Sequence, residues 1–83
     1  MSKAFDEADI VQFCVRELAA ILDLPPERIA TNVRLARLGL DSAMSVRLML
    51  GLEEYLGIEL APEEFFQLAS VEAIARHLAR PAP

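Results

Sequence analysis

Few residues in this chain combine a reactive type with a setting that could use it, and Ser42 leads them. It closes the segment Leu38-Gly39-Leu40-Asp41-Ser42, directly ahead of a run that reads as one long amphipathic helix, Ser42 to about Leu56. A hydroxyl held at a helix N-terminus, behind a flexible glycine and beside a capping-type aspartate, is well placed to carry a phosphate group. The amides of the first turn have no intrahelical acceptor and the helix dipole is positive there, so both favour an anion. The plainer role of such a serine is that of a helix cap.

Other chemistry is poorly supported. A hydrolase elbow needs G-x-S-x-G and a base, but Ser42 lacks both flanking glycines, and the one histidine, His77, belongs to the last helix. There it reads as a cation near a helix C-terminus. Cys14 shares a helical stripe with Val11 and Leu18 and reads as an inert core thiol. As the only cysteine it can form neither an internal disulfide nor a zinc site, and Asp6, Glu7 and Asp9 lack the spacing of a calcium loop. The expectation is a chain that is not an enzyme and ligates no metal.

The elements that must position Ser42 can be read from periodicity and punctuation. A first helix is expected from about Asp6 to Leu22, since Val11, Cys14, Val15, Leu18, Ile21 and Leu22 recur at spacings of three and four, with Pro25-Pro26 ending it. Phe13 falls on the opposite side of that stripe, either exposed or packed on the loop that follows. Residues 23 to 41 are irregular, yet Leu24, Ile29, Val33, Leu35, Leu38 and Leu40 supply apolar anchors, so this segment is expected to fold over the helices with a helical turn near Arg34 to Leu38. Arg28, Arg34 and Arg37 keep its outside basic. Gly57 stops the second helix, Pro62 starts a short third one through about Leu68, and Ser70 caps a fourth whose inner face is Val71, Ile74, Ala75 and Leu78. No alternating strand pattern persists. The fold expected is all-α, a small four-helix bundle of three main helices plus a short third, with a long loop between the first two.

Composition bounds the rest. The chain's 83 residues make a single domain, its core spanning about 6–80 and 81–83 reading as a frayed end or linker. A domain this size buries only roughly 60% of its unfolded surface, so a deep catalytic cleft is not expected. An apolar fraction of 54% excludes a disordered tail, and no apolar run approaches a membrane span. Net charge is −5, which repels nucleic acid and anionic membrane and favours basic protein partners. The acidic start Phe5-Asp6-Glu7 is unlike a signal peptide, so a cytoplasmic location is expected.

The second helix carries more apolar residues than a core needs. On a helical wheel Met44, Leu48, Met49, Leu52, Tyr55 and Leu56 form the core stripe, while Ala43, Val46 and Leu50 point away among Arg47 and Glu54. An apolar patch ringed by charge reads as a docking surface, with ordinary exposed aliphatics as the alternative. Glu53, Glu54, Glu59, Glu63 and Glu64 read as a solvated face or as an acidic rim that speeds encounter with basic partners.

Gly39-Leu40-Asp41-Ser42, followed by Val46, Leu48, Leu52-Glu53-Glu54, Leu56-Gly57-Ile58, Pro62-Glu63-Glu64-Phe65 and Val71-Ile74-Leu78, resembles the phosphopantetheine attachment site of acyl and peptidyl carrier proteins across nearly the whole chain. The resemblance implies that a phosphopantetheinyl transferase moves the arm from coenzyme A onto Ser42. Mg²⁺ would be bound in that enzyme complex, and Asp41 would assist recognition or metal binding there. The arm would hold acyl or aminoacyl cargo as a thioester for polyketide, nonribosomal peptide or related biosynthesis. Implied partners are the transferase, a loading enzyme and downstream biosynthetic enzymes, met by a monomer through Ala43, Val46, Arg47, Leu50 and Glu54. Two positions depart from the family pattern: Ala43 stands where leucine commonly follows the serine, and Arg47 where an acid is frequent. A helical adaptor that is never modified, binding a partner helix through Val46 and Leu50, is the rival reading.

Overall fold

The computed structural model describes residues 5–79. Within them the chain forms α1 (Glu7–Leu22), α2 (Ser42–Leu56), α3 (Pro62–Phe65) and α4 (Val71–Leu78), with one-turn 3₁₀ segments at Pro26–Arg28 and Leu35–Leu38 and no β-strand. This is the expected all-α bundle. Arg80 and the tail expected at 81–83 lie outside the described residues.

Side-chain caps set most of the helix starts. Asp6 accepts the Ala8 amide, Asp41 that of Met44 and Ser70 that of Ala73, each replacing an acceptor the helix cannot supply. At the other end of α2, Gly57 turns left-handed at φ 69°, and its amide and that of Ile58 both donate to the Glu53 carbonyl. α1 ends at Leu22 as expected, and the residue that closes it is Asp23, ahead of Pro25-Pro26, in a left-handed conformation (φ 55°) that aspartate tolerates better than most residues, with the Asp23 and Leu24 amides donating to the Ala19 carbonyl. The prolines instead open the first 3₁₀ turn, which the sequence did not announce. The third helix is shorter than expected. After Phe65 the Gln67 and Leu68 amides reach back only three residues, to Glu64 and Phe65, so the turn tightens and α3 ends.

α1 packs mainly against α4 and α2, and α3 closes on α2. Ile10, Cys14, Leu18, Leu48, Leu52, Val71 and Ile74 are wholly buried, and each buried leucine, isoleucine or valine is worth about 1.5–3 kcal/mol relative to exposure. Ile10, one turn before Cys14, belongs to the buried face of α1 although it was not among the residues expected there. Leu24, expected to anchor the loop, is 38% exposed, and Tyr55, expected in the core stripe of the second helix, is 43% exposed. Tyr55 stacks on Phe13, which rests against α2 and not, as one alternative had it, on the loop.

The long segment between α1 and α2 is pinned along its middle, at Thr31 and Leu35. Ile29, Leu35 and Leu40 are buried, while Arg28, Arg34 and Arg37 are exposed. The Leu35 amide donates to the Ala69 carbonyl at 2.7 Å, the Glu72 amide to the Thr31 carbonyl at 3.0 Å, and the Thr31 hydroxyl to the Glu72 carboxylate at 3.2 Å. These bonds tie the approach to Ser42 to the α3–α4 link.

Candidate functional site

Gly39 determines how the chain enters α2. It caps the second 3₁₀ turn at φ 102°, a conformation that L side chains rarely adopt, and its amide donates to the Ala36 carbonyl. Space is not the restriction, since an added Cβ would meet nothing closer than Leu22 Cδ2 at 3.9 Å. Buried Leu35 and Leu40 anchor either side of this turn, and the Leu40 amide donates to the Leu35 carbonyl. Asp41 and Ser42 therefore leave a fixed platform.

Asp41 is the N-cap of α2, and its Oδ1 accepts the Met44 amide at 2.9 Å while its carbonyl accepts the Ser45 amide at 2.9 Å. Ser42 is the first helical residue. Its side chain is exposed and its hydroxyl makes no hydrogen bond among the described residues. With the Met44 and Ser45 amides engaged, those of Ser42 and Ala43 remain outside the helical ladder at the positive end of the dipole. An anion bonded to Ser42 would meet donors there, so the residues present fit a phosphate-linked group.

Among the described residues no side chain is hydrogen-bonded to this hydroxyl. His77 is exposed in the last turn of α4 and shares a small hollow with Leu60, Ala61, Glu64 and Phe65, and it makes no hydrogen bond with Ser42. Cys14 is wholly buried, and burial first, then the nearby Glu17 carboxylate, pushes its thiol up to about 12 from an ordinary value of 9.0. At neutral pH it is neutral and sheltered, as an inert core thiol should be.

Every residue expected on the outer face of α2 is at the surface: Ala43, Val46, Arg47, Leu50 and Glu54, with Val46 37% and Leu50 53% exposed. Glu53 is different. It is half-buried, and its Oε2 accepts the Leu60 amide at 2.7 Å, so this member of the acidic run is a structural brace for the α2–α3 link. The other four, Glu54, Glu59, Glu63 and Glu64, are exposed.

Two features escaped the sequence reading. Phe66 is 51% exposed beside buried Phe65, the rings edge-on at 6.1 Å. Two consecutive aromatics on a one-turn helix cannot both face inward, which was the available signal. Phe66 also lines, with Arg34, Leu35, Ala36, Leu40, Ser45, Phe65, Leu68 and Ala69, an open cleft of about 210 Å³ between the loop, the start of α2 and α3. Its walls come from three segments, so no single stretch of sequence reveals it.

Comparison with known proteins agrees with this geometry. The model of the family described as phosphopantetheine attachment site matches residues 15–78. A phenolphthiocerol/phthiocerol polyketide synthase polypeptide from Mycobacterium tuberculosis and its counterpart from Mycobacterium bovis are each 31% identical over 77 residues, 93% of this chain. The chain spans only 4% of the length of those relatives. A free-standing peptidyl carrier protein from an uncharacterized Acinetobacter baumannii secondary metabolic pathway superposes with a TM-score of 0.81 at 25% identity, over 88% of this chain and 91% of that one. The A1-type ACP domain from module 5 of MLSA1 gives 0.76 at 25% identity, over 87% and 73%. The HMG-ACPI domain of the CurA module from Lyngbya majuscula, 18% identical, shares the fold at 0.80 over 94% and 79%. With the family model covering most of its length and the helical bundle shared with carrier proteins, the chain belongs to the phosphopantetheine attachment site family and is a carrier domain.

Proposed function

We propose that Ser42 is the residue that receives the phosphopantetheine arm. The observation that carries this is its exposed, unbonded hydroxyl at the first position of α2, inside the region the family model matches. The Ser42 Oγ attacks the pantetheine-side phosphorus of coenzyme A, the P–O bond of the diphosphate linkage breaks and the adenosine bisphosphate half leaves, while the hydroxyl proton passes to a phosphopantetheinyl transferase. The amides of Ser42 and Ala43 stand ready for the phosphate oxygens, and Asp41 holds the helix start while offering its free carboxylate oxygen to the transferase or its Mg²⁺. When attached, the arm supplies a thiol that holds cargo as a thioester.

The chain itself has no catalytic role in this reading. Carrier domains are generally non-catalytic, and here no side chain among the described residues is hydrogen-bonded to the hydroxyl. Burial of Cys14 complements this role, because a chain that ferries thioesters gains from keeping its own thiol out of exchange. Val46 and Leu50, flanked by Arg47 and Glu54, serve as the face that loading and downstream enzymes grip. The cargo is an acyl or aminoacyl intermediate of polyketide or nonribosomal peptide synthesis. The whole chain acts as one monomeric carrier domain in the cytoplasm.

Incubation with a broad-specificity transferase, Mg²⁺ and coenzyme A is expected to add the mass of one phosphopantetheinyl group to the wild type and nothing to Ser42→Ala. An unchanged wild-type mass, or attachment at Ser45, refutes the assignment.

A further inference from the structure

The seam between α1 and α2 holds a feature with no part in attachment at Ser42. Phe13 and Glu17 lie one turn apart on α1, and Gly51, Glu54 and Tyr55 span one turn of α2. Phe13 and Tyr55 stack with centroids 4.3 Å apart and planes within 9°. A Cβ at position 51 would lie 2.7 Å from Glu17 Oε1 and 3.6 Å from Phe13 Cζ. Glycine there costs helix propensity but lets the Glu17 carboxylate rest directly on the α2 backbone, at the floor of the seam. Together these five residues line a solvent-facing groove of about 400 Å³. Neither Glu17 nor Glu54 has an ion pair or hydrogen bond among the described residues, and Tyr55 is 43% exposed.

We propose that this groove accepts the guanidinium of an arginine presented by a basic partner protein. Parallel rings offer an electron-rich face to a flat cation, and a carboxylate on each helix can take a forked pair of N–H donors. Lysine would satisfy the charge but not the plane or the fork. A net charge of −5 draws such a partner in, and no basic residue lines the groove to repel it. The arrangement does not depend on Ser42 or on its modification. Because Glu54 also borders the outer face of α2, a protein seated on Val46 and Leu50 would have this groove within its footprint.

The test is an amide-shift titration of ¹⁵N-labelled protein at low salt with the blocked tripeptide acetyl-Gly-Arg-Gly-amide and its lysine and citrulline counterparts. The arginine peptide is expected to shift the Phe13, Glu17, Gly51 and Tyr55 amides along one saturating curve at millimolar concentration, the lysine peptide at least about threefold more weakly, and the citrulline peptide not at all. Glu17→Gln combined with Glu54→Gln should lower the affinity at least about tenfold, and Gly51→Leu, which fills the floor, should abolish it. The double carboxamide variant changes no packing, so it decides the matter if Gly51→Leu does not fold. The proposal fails if shifts gather instead at Glu59, Glu63 and Glu64, if citrulline matches arginine, or if the double variant binds like wild type. Shifts at these residues that grow with protein concentration alone would assign the groove to a second copy and overturn the partner.

Discussion

Asp41 has an observed structural duty and a proposed functional one, and three substitutions separate them. Its Oδ1 accepts the Met44 amide at 2.9 Å, whereas the Ser45 bond to its carbonyl survives any change of side chain. Asp41→Ala removes one capping bond at an exposed helix start, so the freed amide turns to water and no buried orphan is created. The cost should sit near the middle of the range for lost caps, about 1 kcal/mol. For a domain of this size that lowers Tm by roughly 4–8 °C. Asp41→Asn and Asp41→Ser cap nearly as well and lose only the charge near the helix dipole, so both should stay within about 0.5 kcal/mol of wild type. Thermal unfolding followed by circular dichroism reads the first quantity, and the initial rate of mass gain with transferase, Mg²⁺ and coenzyme A reads the second. If the carboxylate is read by the transferase, Asn and Ser variants melt like wild type yet are modified slowly. Equal rates for Asp41→Asn and wild type would reduce Asp41 to a cap alone. An Asp41→Ala variant as stable as Asp41→Asn would show that the Met44 bond does not hold the helix start, and the account of the site would be wrong.

Leu52→Ala should cost about 2–5 kcal/mol in denaturant titration, since Leu52 is wholly buried, while Leu50→Ala at 53% exposure should cost well under half as much; equal losses would mean α2 is rotated differently. Cys14 should resist alkylation in the folded apo-protein at pH 8 and react once in denaturant, whereas the arm adds one thiol that reacts without unfolding. Because burial, then Glu17, raises the Cys14 pKa in the folded state to about 12 from 9.0, the unfolded chain releases this proton first as pH rises. The resulting stability is intact below about pH 9 and is lost progressively towards about 12, a decline that Cys14→Ala should lack in pH-dependent unfolding. Arg47→Glu should leave folding and arm attachment largely intact but slow cargo loading at least about tenfold, since a close interfacial charge pair is worth about 1.5 kcal/mol or more. Loading at the wild-type rate would make this face ordinary surface.

The helix bounds that matter for the site were legible because they are written in local chemistry. Asp41 and Gly57 bracket α2, and Asp6 and Ser70 open their helices, each through a bond made within a few residues. What stayed hidden depends on distant segments. A helical wheel puts Tyr55 in the core stripe, but only the position of α1 determines that its ring stacks on Phe13 and remains at the surface. Glu53 sits in an acidic run and looked solvated. The left-handed turn at Gly57 brings the Leu60 amide back to its carboxylate, which composition cannot reveal. Ser42 and Asp41 could be read as a pair, whereas the cleft beside them and the α1–α2 groove each need more than one segment in place.

The same dependence links the core to the site. The Ser42 side chain makes no hydrogen bond among the described residues; its position follows from Leu35 and Leu40 in the core, from Gly39 between them, and from the hydrogen bonds to Ala69 and Glu72. A domain of this length has roughly 4–12 kcal/mol of total stability, so one core truncation at Leu52 can consume much of it. Loss of the arm in such a variant would then reflect the folded fraction, and should return when the protein is assayed at a temperature where it is folded. A Gly39→Ala change acts otherwise, straining the turn that presents Ser42 while the helices remain. Strain of this kind costs about 1–3 kcal/mol. Its modification rate should stay low even where the fold is fully populated, which distinguishes damage to the platform from damage to the core.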